Sequence, residues 1–163
     1  METERRRQLE QRHDYGAWQG RSAHPASQSV RAFAFSGKEL PGWELQRADR
    51  KTGPPPRLTA LWRRGGDAPE QVLRVDVYEL PAVGAAHGYV IELLNEFQGP
   101  DITRRAQPPI GDVCFGTPLV LLFARANLVV LVRNAGRDAV EVVGAARALD
   151  AHLVSLLTGS EGR

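Results

Sequence analysis

The residues of this sequence that could do chemistry are single side chains rather than a recognisable motif. The four histidines, His13, His24, His87 and His152, do not stand at the spacing of metal ligands. Cys114 is the single cysteine, so an internal disulfide and a cysteine-based zinc knuckle are both excluded. We therefore predict no metal site and no cofactor, with the histidines on the surface or on helix faces.

No group of residues forms a familiar nucleophile or phosphate-binding motif. A Gly-x-Ser-x-Gly elbow, a P-loop and a Gly-x-Gly-x-x-Gly loop are absent from the sequence. Cys114 lies between Val113 and Phe115, and a buried apolar cysteine is usually inert. Asp112 follows Gly111, where a carboxylate usually caps the backbone N–H groups of a turn. These observations predict no catalytic residue and favour a non-enzymatic role.

A small-ligand site or an undetected catalytic site stays open as the alternative. It would use a pocket between the sheet and a helix over residues 82–97, with Tyr78, His87, Tyr89 and Asp112 as candidates. A deep polar pocket that contains several of these side chains would favour the alternative. A filled core at that place would count against it.

The composition is that of an ordinary globular protein of about one domain. The 163 residues include 21 basic and 19 acidic side chains, for a net charge of +2. Arginine far outnumbers lysine, which suits phosphate or carboxylate binding but also follows from GC-rich codons. The small net charge disfavours nucleic-acid binding. The first twenty residues lack the apolar core of a secretory signal, so we expect a cytoplasmic protein.

The stretch 118–134, PLVLLFARANLVVLVRN, contains two apolar runs around a short polar centre. Each run is far shorter than the roughly twenty residues of a membrane-spanning helix, so we predict no membrane span. We predict instead two strands, about 118–124 and 128–133, with Asn127 in the left-handed conformation of a tight turn. Because the first strand is apolar on both faces, helices or a partner should cover both sides of the sheet.

Alternating apolar and polar residues predict three further strands, from about Trp43, over 57–64 and over 71–80. In the last of these, Arg74, Asp76 and Tyr78 share the face opposite to the apolar one. Apolar residues at steps of three and four predict two helices, over 82–97 and over 138–158. Asp138 and Glu141 would form a capping box at the start of the second helix.

The predicted fold is therefore α+β. It consists of a mainly antiparallel sheet of about five to seven strands with helices packed on it, in the order β-β-β-α-β-β-β-α. We expect a polar N-terminal helix and linker over residues 1–29, a single α+β domain over 30–158 and a tail over 159–163. The N-terminal helix has no apolar face to bury, which favours docking on another chain.

Aromatic and arginine side chains are the usual anchors of protein interfaces. The candidate partner-binding residues are Arg6, Arg7, Tyr15, Trp18, Trp43 and Trp62. The plainer explanation for the last two tryptophans is that they pack the sheet under a helix. We predict an accessory or assembly subunit that binds another protein chain, alone or within a larger complex.

Four short stretches carry a resemblance that covers about residues 38–158. They are LPGW at 40–43, VDVYELPAVGAAHGYV at 75–90, PIGDVCF at 109–115 and LLFARANLVVLV at 121–132. They resemble a broad group of bacterial proteins of unknown function and, more distantly, PsbP-like and LpqN-like domains. The resemblance implies an antiparallel sheet between helices and an accessory, non-catalytic role. The chain departs from this group at Ala126, where glycine is usual, and we expect no export signal, although such relatives commonly have one.

Overall fold

The computed structural model of the protein describes residues 2–25, 27–31, 34–65, 70–97 and 101–161. Its helices are α1 (Thr3–Arg12), α2 (Tyr15–Trp18), α3 (Val83–Glu96) and α4 (Val143–Glu161). Its strands are β1 (Glu44–Lys51), β2 (Arg57–Arg64), β3 (Gln71–Glu79), β4 (Thr103–Arg104), β5 (Val113–Thr117), β6 (Val120–Arg125) and β7 (Leu128–Asn134). All seven strands belong to one antiparallel sheet, which confirms the predicted α+β class.

The strands lie in the order β1-β2-β3-β7-β6-β5-β4 across the sheet. β1 and β4 are therefore the two edge strands, and β3 pairs with β7 after a long excursion of the chain. The N-terminal helix expected within residues 1–29 is present as α1, with the short α2 after it, and the order of the domain differs from the predicted one by a fourth strand after α3. The additional strand arises because the two-residue β4 and the longer β5 both join the sheet.

Both faces of the central strands are covered, as the apolar hairpin predicted. On one face α4 packs through Ala146, Leu149 and Leu153 against buried residues such as Trp62 and Phe123. On the other face α3 packs on β6 and β7 through an apolar stripe. Its buried members are Val90, Ile91, Leu93 and Leu94. Each buried aliphatic side chain of this size stabilises the fold by roughly 1.5–3 kcal/mol, so the two layers fix the position of both helices.

The turn between β6 and β7 differs from the prediction in one residue. Ala126 has the positive φ, 53°, whereas Asn127 was expected to take this conformation and does not. The side chain of Asn127 is instead engaged with the backbone. Its amide oxygen accepts from the N–H of Gln28 at 2.8 Å, and its nitrogen donates to the carbonyls of Gln28 and Leu80.

The last helix begins at Val143, so the predicted start at residue 138 with a capping box of Asp138 and Glu141 was wrong. Asn134 holds the preceding segment in a non-helical conformation. Its side-chain oxygen accepts from the N–H of Val140 and its nitrogen donates to the carbonyl of the same residue, each at 2.7 Å. The N–H of Val142 donates to the carbonyl of Pro118, which ties this segment to the sheet.

The N-terminal arm, defined as the described residues between 2 and 31, lies on the sheet domain. α1 packs on α3, and Tyr15 and Trp18 of α2 are buried beside Phe115 of β5. The segment after α2 crosses one end of the sheet. Its hydrogen-bond partners are the side chains of His87, Asp112, Asn127 and Glu79. Within the described part of the chain, no helix is long and apolar enough to cross a membrane.

Candidate functional site

One part of the sheet is exposed on the side that carries α3. α3 packs on β6 and β7, and the side chains of β1 and β2 on this side remain exposed or half-exposed. β1 is an edge strand, and all of its residues lie at the surface or near it. The central strands have both faces covered, so this end of the sheet offers an open surface.

The cross-strand register shows which side chains share this surface. Lys51 pairs with Arg57, Asp49 with Thr59, and Leu61 lies between Arg47 of β1 and Arg74 of β3. Directly opposed residues project on the same side of a sheet. We name this surface the arginine face: Arg47, Asp49, Lys51, Arg57, Thr59, Leu61, Arg74, Asp76 and Arg133. It carries five cationic and two anionic side chains.

Asp76 is the centre of the arginine face and is fully buried. The hydroxyl of Thr59 donates to its carboxylate at 2.6 Å, and the Nε of Arg74 donates at 3.0 Å. The guanidinium groups of Arg133 and Arg57 lie 3.5 Å and 4.0 Å from the same carboxylate. Three guanidinium groups carry many more N–H donors than one carboxylate can accept. The cluster is thus a fixed array of cations with donor capacity left for an anion.

A groove with a volume of 500 Å³ runs along this face, mostly between β1 and β2. Leu61 lines it and is half-buried, with cationic residues on the two neighbouring strands. Arg47 is 69% exposed in its side chain and forms an ion pair with Asp49 at 2.5 Å. The groove therefore combines an apolar floor with a cationic rim.

Tyr78 and Tyr89 border the arginine face and are neutral groups. Arg57 lies over the ring of Tyr78 at 5.9 Å, within the range of a cation–π interaction. Burial raises the pKa of the Tyr78 hydroxyl, and the charge of Asp76 raises it further. Burial, with a contribution from Tyr78, raises the pKa of Tyr89 to about 12. Neither hydroxyl is poised to act as a base near neutral pH.

The structure does not bring the six predicted partner-binding residues together. Tyr15, Trp18 and Trp62 are 8%, 3% and 0% exposed because they pack in the core of this chain. Trp43 is half-buried, with the guanidinium of Arg64 4.4 Å from its ring centre.

The two predicted arginines of α1, Arg6 and Arg7, remain closer to the surface. Arg6 pairs with Glu10 at 2.9 Å and reaches Glu92, and Arg7 pairs with Glu4 at 3.6 Å. Arg7 is 65% exposed in its side chain. A role of these six residues in partner binding stays a prediction.

The four candidates for a pocket under residues 82–97 do not form one site: Tyr78 and Tyr89 are in ring contact, whereas His87 and Asp112 are engaged elsewhere. Buried apolar side chains fill the space between the sheet and α3. His87 accepts at Nδ1 from the N–H of Gly20 at 2.9 Å, and Asp112 is engaged in a separate ion pair. Tyr89 lines a groove of 650 Å³ between α3 and prolines 54–56. The ring centres of Tyr78 and Tyr89 are 5.1 Å apart.

Asp112 has the structural role expected for a carboxylate in a turn. It accepts from the hydroxyl of Ser22 at 2.6 Å and from the N–H groups of Ala23 and Ala126 at 3.0 and 2.8 Å. Arg125 donates to it at 3.2 Å and binds Asp150 more closely. Burial alone would lower the pKa of Arg125, but the bonds and charge of Asp150, with Asp112, raise it. This cluster joins the arm, the hairpin and α4.

The arginine face was missed in the sequence although half of its signal is present there. The alternation in β3 places Arg74 and Asp76 on one face, and the alternation in β2 places Arg57, Thr59 and Leu61 on one face. What the sequence does not contain is the register that brings these two rows and Arg133 of β7 together.

Two further observations bear on the site. Among the described residues, no cluster of three or more His, Cys, Asp or Glu side chains could hold a metal ion. No protein-family model, curated protein or solved structure matches the chain. The resemblance to a broad bacterial group stays a prediction.

Proposed function

We propose that the chain is a non-enzymatic accessory or assembly subunit that binds another protein through the arginine face. The observation that carries this proposal is the unequal cover of one sheet. β6 and β7 are covered on both sides, whereas β1 and β2 leave the side of the sheet that bears α3 exposed. A partner chain would cover this exposed side of β1 and β2.

The chemistry of the face supports docking of a protein. Arginine is enriched in protein interfaces, where its planar group makes several directed hydrogen bonds. Leu61 supplies an apolar centre within the cationic rim. The edge of β1 adds backbone N–H and C=O groups that an incoming strand can pair with.

Affinity purification of the tagged protein from its native cell, followed by native mass measurement, tests this function. We expect a second chain in fixed stoichiometry, lost in Leu61→Glu because a buried glutamate would disrupt the apolar centre of the contact. Leu119→Glu is the matched control, since Leu119 is 42% exposed and lies outside the arginine face. A lone monomer, or a second chain retained by Leu61→Glu, would contradict the proposal.

The groove beside Tyr89 supports a second candidate, a small-ligand-binding domain or an undetected enzyme. Its 650 Å³ volume lies within the roughly 300–1,000 Å³ of small-molecule sites. Three consecutive prolines, 54–56, form one wall and Glu79 and Glu92 add carboxylates. A small molecule that raises the melting temperature of the wild type, but not of Tyr89→Ala, would favour this candidate. A screen without such a compound would count against it.

A further inference from the structure

We infer that the arginine face binds an acidic polypeptide segment that pairs as an extended strand with the outer edge of β1. This inference rests on the proposed function and names the chemistry of the partner.

The charge of the face requires an anionic partner. The face has five cationic side chains and only two carboxylates. One of the carboxylates, Asp76, is buried among Arg57, Arg74 and Arg133. These arginines retain 24%, 35% and 35% side-chain exposure, so a ligand can reach them. Complementary potentials across an interface raise both association rate and specificity.

Carboxylates of a protein fit this face better than a nucleic acid. Single-stranded nucleic acids are usually held by stacking of bases on exposed aromatic rings. The residues of the arginine face include no aromatic ring, and the neighbouring Tyr78 is 7% exposed with Arg57 over it. Arginine binds carboxylates through two parallel hydrogen bonds, which suits glutamate and aspartate side chains.

β1 sets the spacing of the acidic residues. Arg47, Asp49 and Lys51 alternate along the strand on the arginine face, about 6.6–6.8 Å apart. A strand paired with β1 would present every second side chain to this face at the same spacing. It should therefore carry acidic residues opposite Arg47 and Lys51 and an uncharged or basic residue opposite Asp49.

The same charges explain why the edge is selective. Charged side chains and a bulge protect an exposed edge strand from pairing with identical copies. β1 has both: cationic side chains and a register shift between Leu45 and Arg47. Like charges repel a second copy of β1, whereas an acidic strand is attracted, so the edge discriminates by sign of charge.

Fluorescence anisotropy with the full chain tests this inference. The probe is a short fluorescein-labelled peptide in which glutamate stands at every fourth position and threonine at the others, so that glutamates oppose Arg47 and Lys51 and a threonine opposes Asp49. We expect saturable binding that weakens with added salt, and about tenfold weaker binding for Arg47→Glu and for Lys51→Glu. Arg147→Glu makes the same change of charge on an exposed position of α4 and should leave binding unchanged.

Three comparison probes separate the possible results. The same peptide with glutamine in place of glutamate should not bind, and a backbone N-methylated version should lose binding because it cannot pair with β1. Equal binding of either peptide, or equal weakening by Arg147→Glu, would overturn the inference. An oligothymidylate that binds more tightly than the acidic peptide would overturn it in favour of nucleic acid.

The failure of this inference can be distinguished from the failure of the proposed function. A co-purifying chain that is lost with Leu61→Glu but retained with Arg47→Glu and Lys51→Glu would overturn the acidic partner and leave docking intact. All of these substitutions change surface or half-buried side chains, and circular dichroism of each variant checks that the fold is retained.

Discussion

Arg125 and Asp150 form a two-point ion pair between the β6–β7 hairpin and α4. The Nε of Arg125 donates to one carboxylate oxygen at 2.7 Å and a terminal nitrogen donates to the other at 2.8 Å. Both side chains are about nine-tenths buried. Asp150 also accepts from the N–H of Gly111 at 2.8 Å, so one carboxylate fixes the hairpin, the preceding turn and the last helix.

Replacing Asp150 by alanine should destabilise the protein strongly. It would leave the buried guanidinium of Arg125 without its closest partner, which typically costs about 3–5 kcal/mol of unfolding free energy. Asp101→Ala, at an exposed position, should change stability by about 0.5 kcal/mol or less. Urea unfolding measures both variants. A loss of less than about 1 kcal/mol for Asp150→Ala would contradict the role given to this pair.

Asn127 should hold the N-terminal arm on the sheet. Its side chain makes hydrogen bonds to both backbone groups of Gln28 and is 2% exposed. Asn127→Ala should cost about 1–3 kcal/mol and speed proteolytic cleavage between residues 20 and 31. Arg147→Ala, at an exposed position of α4, is the control. Unchanged cleavage of the arm in Asn127→Ala would show that other contacts hold it.

His87 should make stability depend on pH. Burial lowers the pKa of its imidazole from the ordinary 6.5, against opposing effects of Asp112 and of the backbone at Trp18. As the pH falls, the unfolded chain takes up the proton first. The stabilisation is therefore complete above about pH 6.5 and decreases as the pH falls from there toward the lower folded-state pKa. His13, whose pKa is lowered by burial and by Arg12, acts in the same direction.

The variant His87→Asn isolates this contribution, because an asparagine can still accept a hydrogen bond but does not titrate. Unfolding free energies of the wild type and the variant, measured from about pH 7 to about pH 5, give two slopes. We expect the variant's slope to be shallower, with the remainder due to His13. Identical slopes would show that His87 does not contribute.

Cys114 should be unreactive in the folded protein. The thiol is 2% exposed, and burial raises its pKa to about 12, with a smaller opposing effect of Arg105. The thiolate is the reactive form, so a disulfide reagent should label Cys114 only when the chain unfolds. Labelling in buffer and in urea, followed at neutral pH, measures this. A rate in buffer close to that of a small free thiol would contradict the buried position.

Local sequence patterns predicted the helices and strands. The features that depend on contacts between distant residues could not be predicted from these patterns. The alternation in β2 and the apolar steps in α3 depend on near neighbours, and both elements lie where they were expected. The predicted start of α4 was wrong because Asn134, several residues upstream, binds the backbone of Val140.

The N-terminal arm shows the same limit. α1 is polar, as expected, and packs on α3, whereas Tyr15 and Trp18, which follow it, are buried beside Phe115 of β5. The arginine face likewise depends on the register of β1, β2 and β3 and, for Arg133, on the pairing of β3 with β7, which lies outside any local pattern. The alternation in the sequence therefore predicts which side chains of β2 and of β3 share a face, but not the register that brings the two rows together.

Hydrogen–deuterium exchange of the chain, alone and in complex with its co-purified partner, tests the docking face most directly. We expect the outward-pointing backbone amides of β1 to exchange quickly in the isolated chain and to become protected in the complex, together with reduced exchange around Leu61. Protection confined to α1 and α2, with β1 unchanged, would contradict the arginine face as the docking surface and assign partner binding to the N-terminal arm.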